Sequence, residues 1–562
     1  MKKLFCILLT LAMLLCTIPM SVTVSAEDET VDTTAWNYGN TFTHADDAAA
    51  KNAGRSCRIG EEGRNAKYFW NVGNALAALI QNPNYYDRTI HLIGESATFG
   101  NPLTITDKMS GEANPIVIDG QGKYKMVVST NGQNDYKERG FISLTGTDGT
   151  STASLIFRDI PILKLNEGIF LRTWWANVTF ENVNIMNMTP YPALTGEGGT
   201  CDIKLINSTY RDMDSVMGTD NKKANSFLNL KGGTNWIPAT VTLQNSSVMV
   251  DDFAPTAANW CGSYLIGSEA SSNGDAGNKL TLNVDGTSTI GFGCNGDYAQ
   301  YGILNIMGGE NNKRTHVVNL AKGAKVILGG SANASATADI FGTVNTNGKG
   351  TVNDAGAIYT VNGSAAQTVL LPQAGENHYS VNGKEYASGA MVENVAAGTT
   401  FTAASGVYLR TGASIRTADP LGIRFEGEVS QWLVDLYGDK LEYGILVCPT
   451  AKLTDGVELT HDMAAGDYVS GVCQSFFDDA NGFRLALVGI PATEAAVTMK
   501  FSARAYVRIL DESGNVVRTI YSDYVEADHS RSLYEVAAAY RASDGYVTNE
   551  TIETILSLGG AN

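Results

Sequence analysis

Acidic side chains cluster in two stretches of the chain that follow similar apolar segments. "STYRDMDSVMGTD" supplies Asp212, Asp214 and Asp220, and the pair Asp251 and Asp252 follows the related segment "ATVTLQNSSVMV". If these groups meet on neighbouring turns of a repetitive fold, they could act as general acid and base in glycosidic bond cleavage. Oxygen ligands at Asp212, Asp214 and Asp220 could instead hold calcium. The alternative is that all five are solvated loop residues of an acidic protein, and this is the reading we favour.

A second group of charged residues lies a little earlier in the chain. Its members are Arg158, Asp159, Glu167 and Arg172. An enzyme would need such groups to converge in one cleft. Asp159 occupies the corner of a repeated segment described below, so a structural role explains it better than catalysis does.

Aromatic residues precede several of the apolar segments and suggest a different chemistry. They are Trp174 and Trp175 in "RTWWANVTF", Trp236 in "GGTNWIPATVT", Trp260 in "PTAANWCGSYL" and Tyr191 in "MTPYPALTGEGG". Aromatic faces on loops can stack on the apolar C–H faces of sugar rings. The sequence therefore predicts these five residues as ligand-binding positions. The alternative is that each ring packs its own loop onto the fold.

Short alternating segments recur through the middle of the chain, each followed by a corner residue. In "SLIFRDIPIL", "NVTFENVNIM", "DIKLINSTY" and "TVTLQNSSVMV" an Asp or Asn follows the apolar run. Asn, Asp and Gly tolerate the left-handed backbone angles that such corners need. Steps of 23, 25, 38, 39 and 38 residues separate the apolar anchors, which are Phe157, Phe180, Leu205, Leu243, Leu282 and Leu320.

Strands this short become stable only when they stack on neighbours about 4.8 Å away. Stacked coils would bury the apolar anchors and let the corner Asn side chains form a ladder of amide hydrogen bonds. A step of 23–25 residues fits one turn of a parallel β-helix, and a step near 38 fits one turn plus a loop of about 14 residues. We therefore predict a mainly β fold with a parallel β-helix over residues 65–365. An antiparallel array or sandwich is the alternative.

The flanking sequence predicts further units. Helical spacing in "FWNVGNALAALIQNP" predicts a short helix over 69–83 that caps the first coil. Residues 27–64 precede it as an N-terminal extension, and residues 366–407 form a β-rich cap or linker. Residues 408–562 mix strand and helix patterns, which predicts a small α+β accessory domain.

Local signals in this last region are specific. Two alternating runs joined by residues 513–515 predict a hairpin. "SRSLYEVAAAYRA" predicts a helix with Ser530 as its N-cap, and Gly559 ends the final helix. The motifs of this region contain four arginines, Arg416, Arg424, Arg504 and Arg531. We expect them to pair with acids such as Glu426 and Asp523. The alternative is that they bind an external carboxylate or phosphate.

The composition and the N-terminal sequence limit the possible locations and partners of the protein. Lys2 and Lys3, an apolar run and a small-residue cleavage site predict a signal peptide over 1–26 and an exported protein. The net charge of −18 excludes nucleic acid as a partner, and no later stretch predicts a membrane span. Two of the eight cysteines lie in the signal peptide, and no Cys-x-x-Cys pair supports a zinc site. Cys448 and Cys473 could pair, and buried free thiols are the alternative.

Two resemblances accompany these patterns. "NVGNALAALI", "RTIHLIG", "PIVIDGQG", "VTFENVNI" and "VTLQNSSV" resemble the pectin-lyase-like right-handed parallel β-helix proteins over about residues 65–365. That family includes polysaccharide lyases, hydrolases and non-catalytic surface proteins. "GASIR", "PLGIRF", "EYGILVCPT", "FSARAYVRI" and "SRSLYEVA" resemble a module of secreted and cell-surface proteins of clostridia and related anaerobes. The second resemblance implies location more than chemistry.

Together these observations predict a secreted or cell-surface protein that contacts a polysaccharide or cell-wall glycan without cleaving it. A polysaccharide lyase or glycosidase that uses Asp212, Asp214, Asp251 and Asp252 is the first alternative. A structural spacer or adhesin stalk is the second. No cofactor is expected, with calcium at the acidic cluster left open. Fold alone cannot choose among these functions.

Overall fold

A computed structural model describes most of the chain, and the descriptions below refer to those residues. They are 42–85, 87–97, 102–129, 140–189, 191–212, 227–230, 236–250, 265–268, 279–292, 304–306, 315–328, 341, 350–362, 366–454 and 456–560. The predicted signal peptide, Asp214, Asp220, Asp251, Asp252 and Trp260 lie outside them. The fold is mainly β, and many of its strands pair in parallel.

The middle of the chain forms three parallel ladders of short strands. Ladder A contains β3 Thr89–Leu92, β6 Ile116–Asp119, β9 Ala153–Arg158, β11 Leu171–Glu181, β13 Leu194–Ile206, β16 Trp236–Gln244, β19 Lys279–Val284, β22 Thr315–Leu320 and β24 Gly350–Asp354. Ladder B contains β4 Ser96–Ala97, β7 Met126–Val128, β10 Leu163–Leu165, β12 Asn184–Asn187, β14 Thr209–Asp212, β17 Ser247–Val250, β20 Thr289–Phe292, β23 Lys325–Leu328 and β25 Ile358–Val361. Ladder C contains β5 Leu103–Thr106, β8 Ile142–Thr145, the first residues of β11 and β13, β15 Leu228–Leu230, β18 Ile266–Ser268 and β21 Leu304–Ile306.

The chain visits these ladders in a repeating order of A, then B, then C, through most of the segment. Every described pair within the three ladders is parallel, from β3 with β6 to β23 with β25. The alternative of an antiparallel array over this segment is therefore wrong. In this part of the described chain, antiparallel strand pairs occur only before and after the ladders, and isolated antiparallel bridges such as Gly111 with Ala153 involve the connections.

Apolar residues of neighbouring strands stack inside the ladders and form one continuous core. In ladder A, the rings of Phe157 and Phe180 lie parallel with their centroids 5.1 Å apart. The column continues through Leu205, Leu243, Val284 and Leu320, all at most 2% exposed. Leu282 was predicted to belong to this column, but it pairs with Val241 and Val318 instead.

Left-handed corners recur between ladders A and B, as the sequence predicted. Asp159, Asn182, Asn207 and Asn245 have φ angles between 47° and 56°. The amide of Asn182 donates to Asp159 Oδ1 at 2.7 Å, and that of Asn245 donates to Asn207 Oδ1 at 2.9 Å. The predicted ladder of corner Asn amides is confirmed between Asn207 and Asn245, and at the other step the amide donates to the Asp159 carboxylate. These hydrogen bonds join neighbouring corners of the ladders.

Glycine is required at one earlier corner because two coils approach closely there. A Cβ atom on Gly120 would lie 2.5 Å from the carbonyl oxygen of Asp159. Gln121 and Gly122, rather than Gly120, carry the left-handed angles of this turn. The "DGQG" segment therefore combines a close backbone contact with a tight turn.

Short elements surround the ladders on both sides. Before them come α1 Asp47–Asn52, β1 Cys57–Ile59, β2 Lys67–Phe69 and α2 Val72–Gln81. Helix α2 lies within the predicted 69–83 segment, and buried Leu76 and Leu79 join the core of the ladders. After the ladders come β26 Gln367–Leu370, β27 His378–Val381, β28 Lys384–Ala387, β29 Met391–Val395 and β30 Thr400–Ala404, all in antiparallel pairs.

The last part of the chain combines two antiparallel sheets with helices around a second apolar core. One sheet contains β31 Val407–Leu409, β32 Ser414–Arg416, β33 Gly422–Val429 and β36 Gly482–Val488. The other contains β34 Leu441–Pro449, β35 Val469–Cys473, β37 Phe501–Leu510, β38 Val516–Tyr521 and β39 Ser530–Arg531. The helices are α3 Gln431–Tyr437, α4 Glu494–Thr498, α5 Glu526–His529, α6 Leu533–Arg541 and α7 Glu550–Leu558, with 3-10 turns at Gly438–Lys440 and Thr450–Lys452.

Several local predictions in this region can be compared with the structure. The hairpin of β37 and β38 is confirmed. The N-cap of α6 is Ser532, not Ser530, because Ser532 and Glu535 form a reciprocal capping box. Cys448 and Cys473 are free thiols and do not pair with each other.

Arg504 pairs with an acid of this region, as expected, although the acid is neither Glu426 nor Asp523. Arg504 pairs with Glu458 at 3.2 Å, whereas Glu426 lies 3.7 Å from Arg410. Arg531 bonds to backbone carbonyl oxygens, as described below. Among the described helices, none combines the length and the apolar character needed to cross a bilayer.

Candidate functional site

Bulges in two neighbouring strands redirect side chains where ladders C and A join. The register of β11 and β13 is regular up to residue 173 and resumes with Trp174 opposite Gly198, which leaves Glu197 as an extra residue. It shifts again after Trp174, where Trp175 adopts a left-handed φ of 47°. Bulges bend a strand and re-aim its side chains, and they are frequent beside functional sites.

Three side chains meet at this junction, and we call them the bulge cluster: Arg172, Trp174 and Glu197. Arg172 Nε donates to Glu197 Oε1 at 2.7 Å, and the Arg172 guanidinium carbon lies 5.1 Å from the centre of the Trp174 ring. The Glu197 side chain is 9% exposed and that of Arg172 is 22% exposed. The cluster is thus a half-buried indole held beside a partly shielded ion pair.

Gly198 lies opposite Trp174 in the neighbouring strand. An aromatic ring beside fixed hydrogen-bonding groups suits a ligand with an apolar face and polar edges. The bulge cluster is therefore a candidate binding position.

Trp175 has a different environment, which fits the alternative that an aromatic ring packs its own loop onto the fold. Its ring packs against Gly199, where an added Cβ would lie 2.6 Å from the indole. Its Nε1 is buried and has no hydrogen-bond partner among the described residues. The Trp175 ring therefore packs the bulge of β11 against β13. These contacts indicate a structural role.

The other predicted aromatic positions are only partly described. The backbone of Trp236 pairs with Gly199, so the segment carrying it lies one strand beyond the bulge cluster in ladder A. Tyr191 is half-buried, and its carbonyl oxygen accepts a hydrogen bond from the Asn187 amide at 3.1 Å. Trp260 lies outside the described residues. An extended track of aromatic rings stays a prediction.

Asp212 occupies a position that differs from a solvated loop. It is the last residue of β14, 5% exposed, on the same strand face as the fully buried Tyr210. Burial and the nearby Asp212 charge raise the pKa of Tyr210 well above its ordinary value. By register Asp212 lies opposite Val250, and Asp214, Asp220, Asp251 and Asp252 lie outside the described residues. A shared acid–base or calcium site of these groups stays a prediction.

Three members of the second predicted charged group, Arg158, Asp159 and Arg172, have separate partners. Arg158 pairs with Glu181 at 2.9 Å, and Arg172 pairs with Glu197. Asp159 is a corner residue that accepts the Asn182 amide. These residues serve separate contacts along the ladders.

Glu197 is the member of the bulge cluster that the sequence did not identify. It lies in "TGEGGT", and several glycines inside a strand segment are a sign of a bulge. These glycines could have shown where β13 is irregular, but they could not have shown which strand lies beside it. The pairing of Glu197 with Arg172 depends on the register between coils.

The described residues supply no obvious metal centre. They contain no group of three or more His, Cys, Asp or Glu side chains placed to hold a metal ion. The bulge cluster itself offers an aromatic ring and hydrogen-bonding groups. Comparison of the chain with protein-family models, with curated proteins and with solved structures finds no match.

Proposed function

We propose that this is an exported glycan-binding protein in which a right-handed parallel β-helix presents a non-catalytic binding surface. The repeating order of ladders A, B and C supports one solenoid whose three faces are these ladders. Parallel strands in one sheet are connected almost always by right-handed crossovers, which supports the handedness. The signal peptide predicted for residues 1–26 supports export.

The bulge cluster is the observation that carries the binding proposal. The Trp174 ring supplies an apolar surface, and the ion pair of Arg172 with Glu197 supplies fixed donors and acceptors at its edge. A sugar ring offers a C–H face and hydroxyl groups in the same arrangement. Few other biological ligands alternate apolar faces and hydroxyl edges along a chain, and a solenoid extends in one direction as a polysaccharide does.

The test is binding to an array of acidic and neutral polysaccharides, with and without calcium. We expect the full-length protein to retain at least one glycan, and Trp174→Ala to weaken that binding tenfold or more. Loss of one stacking ring costs about 1 kcal/mol or more beyond its buried area, which is the basis of that estimate. Affinity electrophoresis or calorimetry measures the change.

The chain offers a matched control in Trp70. This residue is 46% exposed and stacks with Arg55, whose guanidinium carbon lies 3.4 Å from the ring centre. Trp70→Ala removes a comparable Trp–Arg contact away from the bulge cluster, so we expect glycan binding to persist. Equal losses in both variants would contradict the proposal.

The same array separates the alternatives. Cleavage of any polysaccharide, abolished by Asp212→Asn or Asp252→Asn, would replace the binding proposal with a lyase or hydrolase. Neither cleavage nor binding across the array would favour a structural spacer. The outcome therefore decides among three functions rather than merely weakening one.

A further inference from the structure

The C-terminal region contains a large cavity far along the chain from the bulge cluster. Its volume is about 1110 Å³, and it lies between the edge strand β32 and helices α5, α6 and α7. Ile415, Val536 and Ile552 form its apolar walls, and Arg531 and Glu535 are among its charged residues. A cavity of this size accommodates a ligand rather than a single water molecule.

The strand that borders this cavity has an open edge. β32 pairs with β33 on one side, and no described strand pairs with its other side. An open strand edge presents backbone N–H and C=O groups to any extended chain that lies beside it. The same strand carries a further unsatisfied group, because the Ser414 hydroxyl is buried without a hydrogen-bond partner among the described residues. Buried hydroxyls normally form hydrogen bonds, and the Ser414 hydroxyl lacks one among the described residues.

Arg531 is the free cation of the cavity. Its Nη1 donates to the carbonyl oxygens of Ala527 and Ser530 at 2.6 and 2.7 Å, which holds the guanidinium in place. Within the described chain Arg531 forms no ion pair, whereas the other cation of the cavity, Lys500, pairs with Glu535 at 3.0 Å. A positioned guanidinium without a carboxylate partner is suited to bind one.

The negative charges of the cavity are distributed unevenly. The Glu535 carboxylate is neutralised by Lys500 and also accepts the backbone N–H of Ser532 at 2.8 Å. Burial acts to raise the Glu535 pKa, but these hydrogen bonds and the Lys500 charge lower it overall. Glu526 is exposed at the rim and forms no ion pair with a described residue. Among the described residues, the cavity lining therefore contains one cation, Arg531, and one anion, Glu526, that form no ion pair.

We propose that this cavity binds an extended peptide that adds a strand to the outer edge of β32, with a peptide carboxylate on Arg531. The backbone of the peptide pairs with β32, and one polar group of the peptide satisfies the Ser414 hydroxyl. Its alternate side chains contact the walls formed by Val536 and Ile552, and a basic side chain faces Glu526. The proposal is independent of glycan binding at the bulge cluster.

Two labelled heptapeptides test this proposal with the full-length chain. Both alternate valine and threonine and carry one lysine, and one ends in a free carboxylate while its twin ends in an amide. We expect saturable binding of the free acid by fluorescence polarisation, with the amide at least tenfold weaker. We also expect hydrogen-exchange protection of residues 413–417 on binding, which a distant contact would not produce.

Variants distinguish the carboxylate contact from the cavity itself. Arg531→Gln should weaken the free acid to the level of the amide and leave the amide unchanged. Ala539→Trp fills the cavity from an exposed position on α6 and should abolish binding of both peptides. Ser557→Trp, at an exposed position of α7 that does not line the cavity, is the matched control and should bind as the parent does.

Several outcomes would overturn the inference. Absence of saturable binding at millimolar peptide would exclude a peptide site of this kind. Equal binding of acid and amide, or an Arg531→Gln variant that binds the acid normally, would remove Arg531 from the site. Displacement of the peptide by an oligosaccharide that binds in the cavity would reassign it to a sugar.

Discussion

The ladders and the C-terminal region are both rich in strands, but they bury their surface in different ways. In the ladders, like residues stack along the coils, as Phe157 does on Phe180 and Asn207 does on Asn245. In the C-terminal region, antiparallel sheets and helices of unequal size meet and leave a cavity of about 1110 Å³. A repetitive core leaves little internal space, and its irregular features lie where the strand register shifts, as at the bulge cluster. An irregular core can enclose a site.

The two apolar cores also share no buried residue. The first extends to Phe401 and the second begins at Val407. Between them, the His378 ring stacks on Trp432 with centroids 4.0 Å apart, and Tyr437 donates to Glu376 at 2.6 Å. We therefore expect the two regions to respond separately to changes in their cores.

The largest expected effect comes from removing one core ring in each region. Phe180→Ala and Phe425→Ala each delete a fully buried ring and should cost about 3–5 kcal/mol of local unfolding free energy. Hydrogen exchange read by mass spectrometry should show lost protection only in the ladders for the first variant, and only in the C-terminal sheets for the second. Loss of protection in both regions from either substitution would show one cooperative unit.

A smaller effect should follow from changes in the corner ladder. Asn207 has a φ of 48° and accepts the amide of Asn245. Asn207→Ala loses this bond and strains the left-handed backbone, at a cost of about 2 kcal/mol, whereas Asn207→Gly keeps the backbone angle and should cost about 1 kcal/mol. Denaturant midpoints of the ladder region measure the difference. An alanine variant as stable as the glycine variant would show that the corner angle carries no strain.

The smallest expected effect is a difference in pH response. Burial is the main cause that lowers the pKa of His461 and of His529 in the C-terminal region, with the Arg508 charge adding to it at His461. The folded state therefore favours neutral imidazole, so its contribution is complete above about pH 6.5 and is lost as the pH falls below that value. Between pH 7.5 and 5.5 we expect the C-terminal region to lose stability.

The ladders provide the contrast for this prediction. Burial acts to raise the pKa of Asp119, but hydrogen bonds from His91 and the Gln121 N–H lower it overall. A carboxylate with a lowered pKa stabilises the fold above its unfolded pKa and loses that contribution only in more acidic solution, below about pH 4. His461→Gln should flatten the C-terminal response. An unchanged slope in that variant would exclude His461 as its source.

The sequence predicted local features well where short-range rules decide them. Corner Asn residues were identified because few side chains accept a left-handed angle. The N-cap of α6 was misplaced by two residues, although the spacing from Ser532 to Glu535 is that of a capping box. That error was avoidable, because both residues of the motif are visible in "SRSLYE".

Register was harder to predict. In "LTLNV" the alternation places Leu280, Leu282 and Val284 on the same inward face, so a shift of two residues leaves the pattern unchanged. The structure places Val284, not Leu282, beside Leu243. Only contacts between the strands distinguish the two: the Asp285 N–H donates to the Leu243 carbonyl oxygen, and the Asp285 carboxylate accepts the Asn245 N–H.

Strand alternation and corner positions were determined by the sequence itself, because backbone angles and periodicity act over a few residues. The pairing of Glu197 with Arg172 and the position of Arg531 beside β32 were decided only by the tertiary structure. Those outcomes depend on contacts between residues that are distant along the chain, where bulges and helix packing set distances that no local pattern encodes.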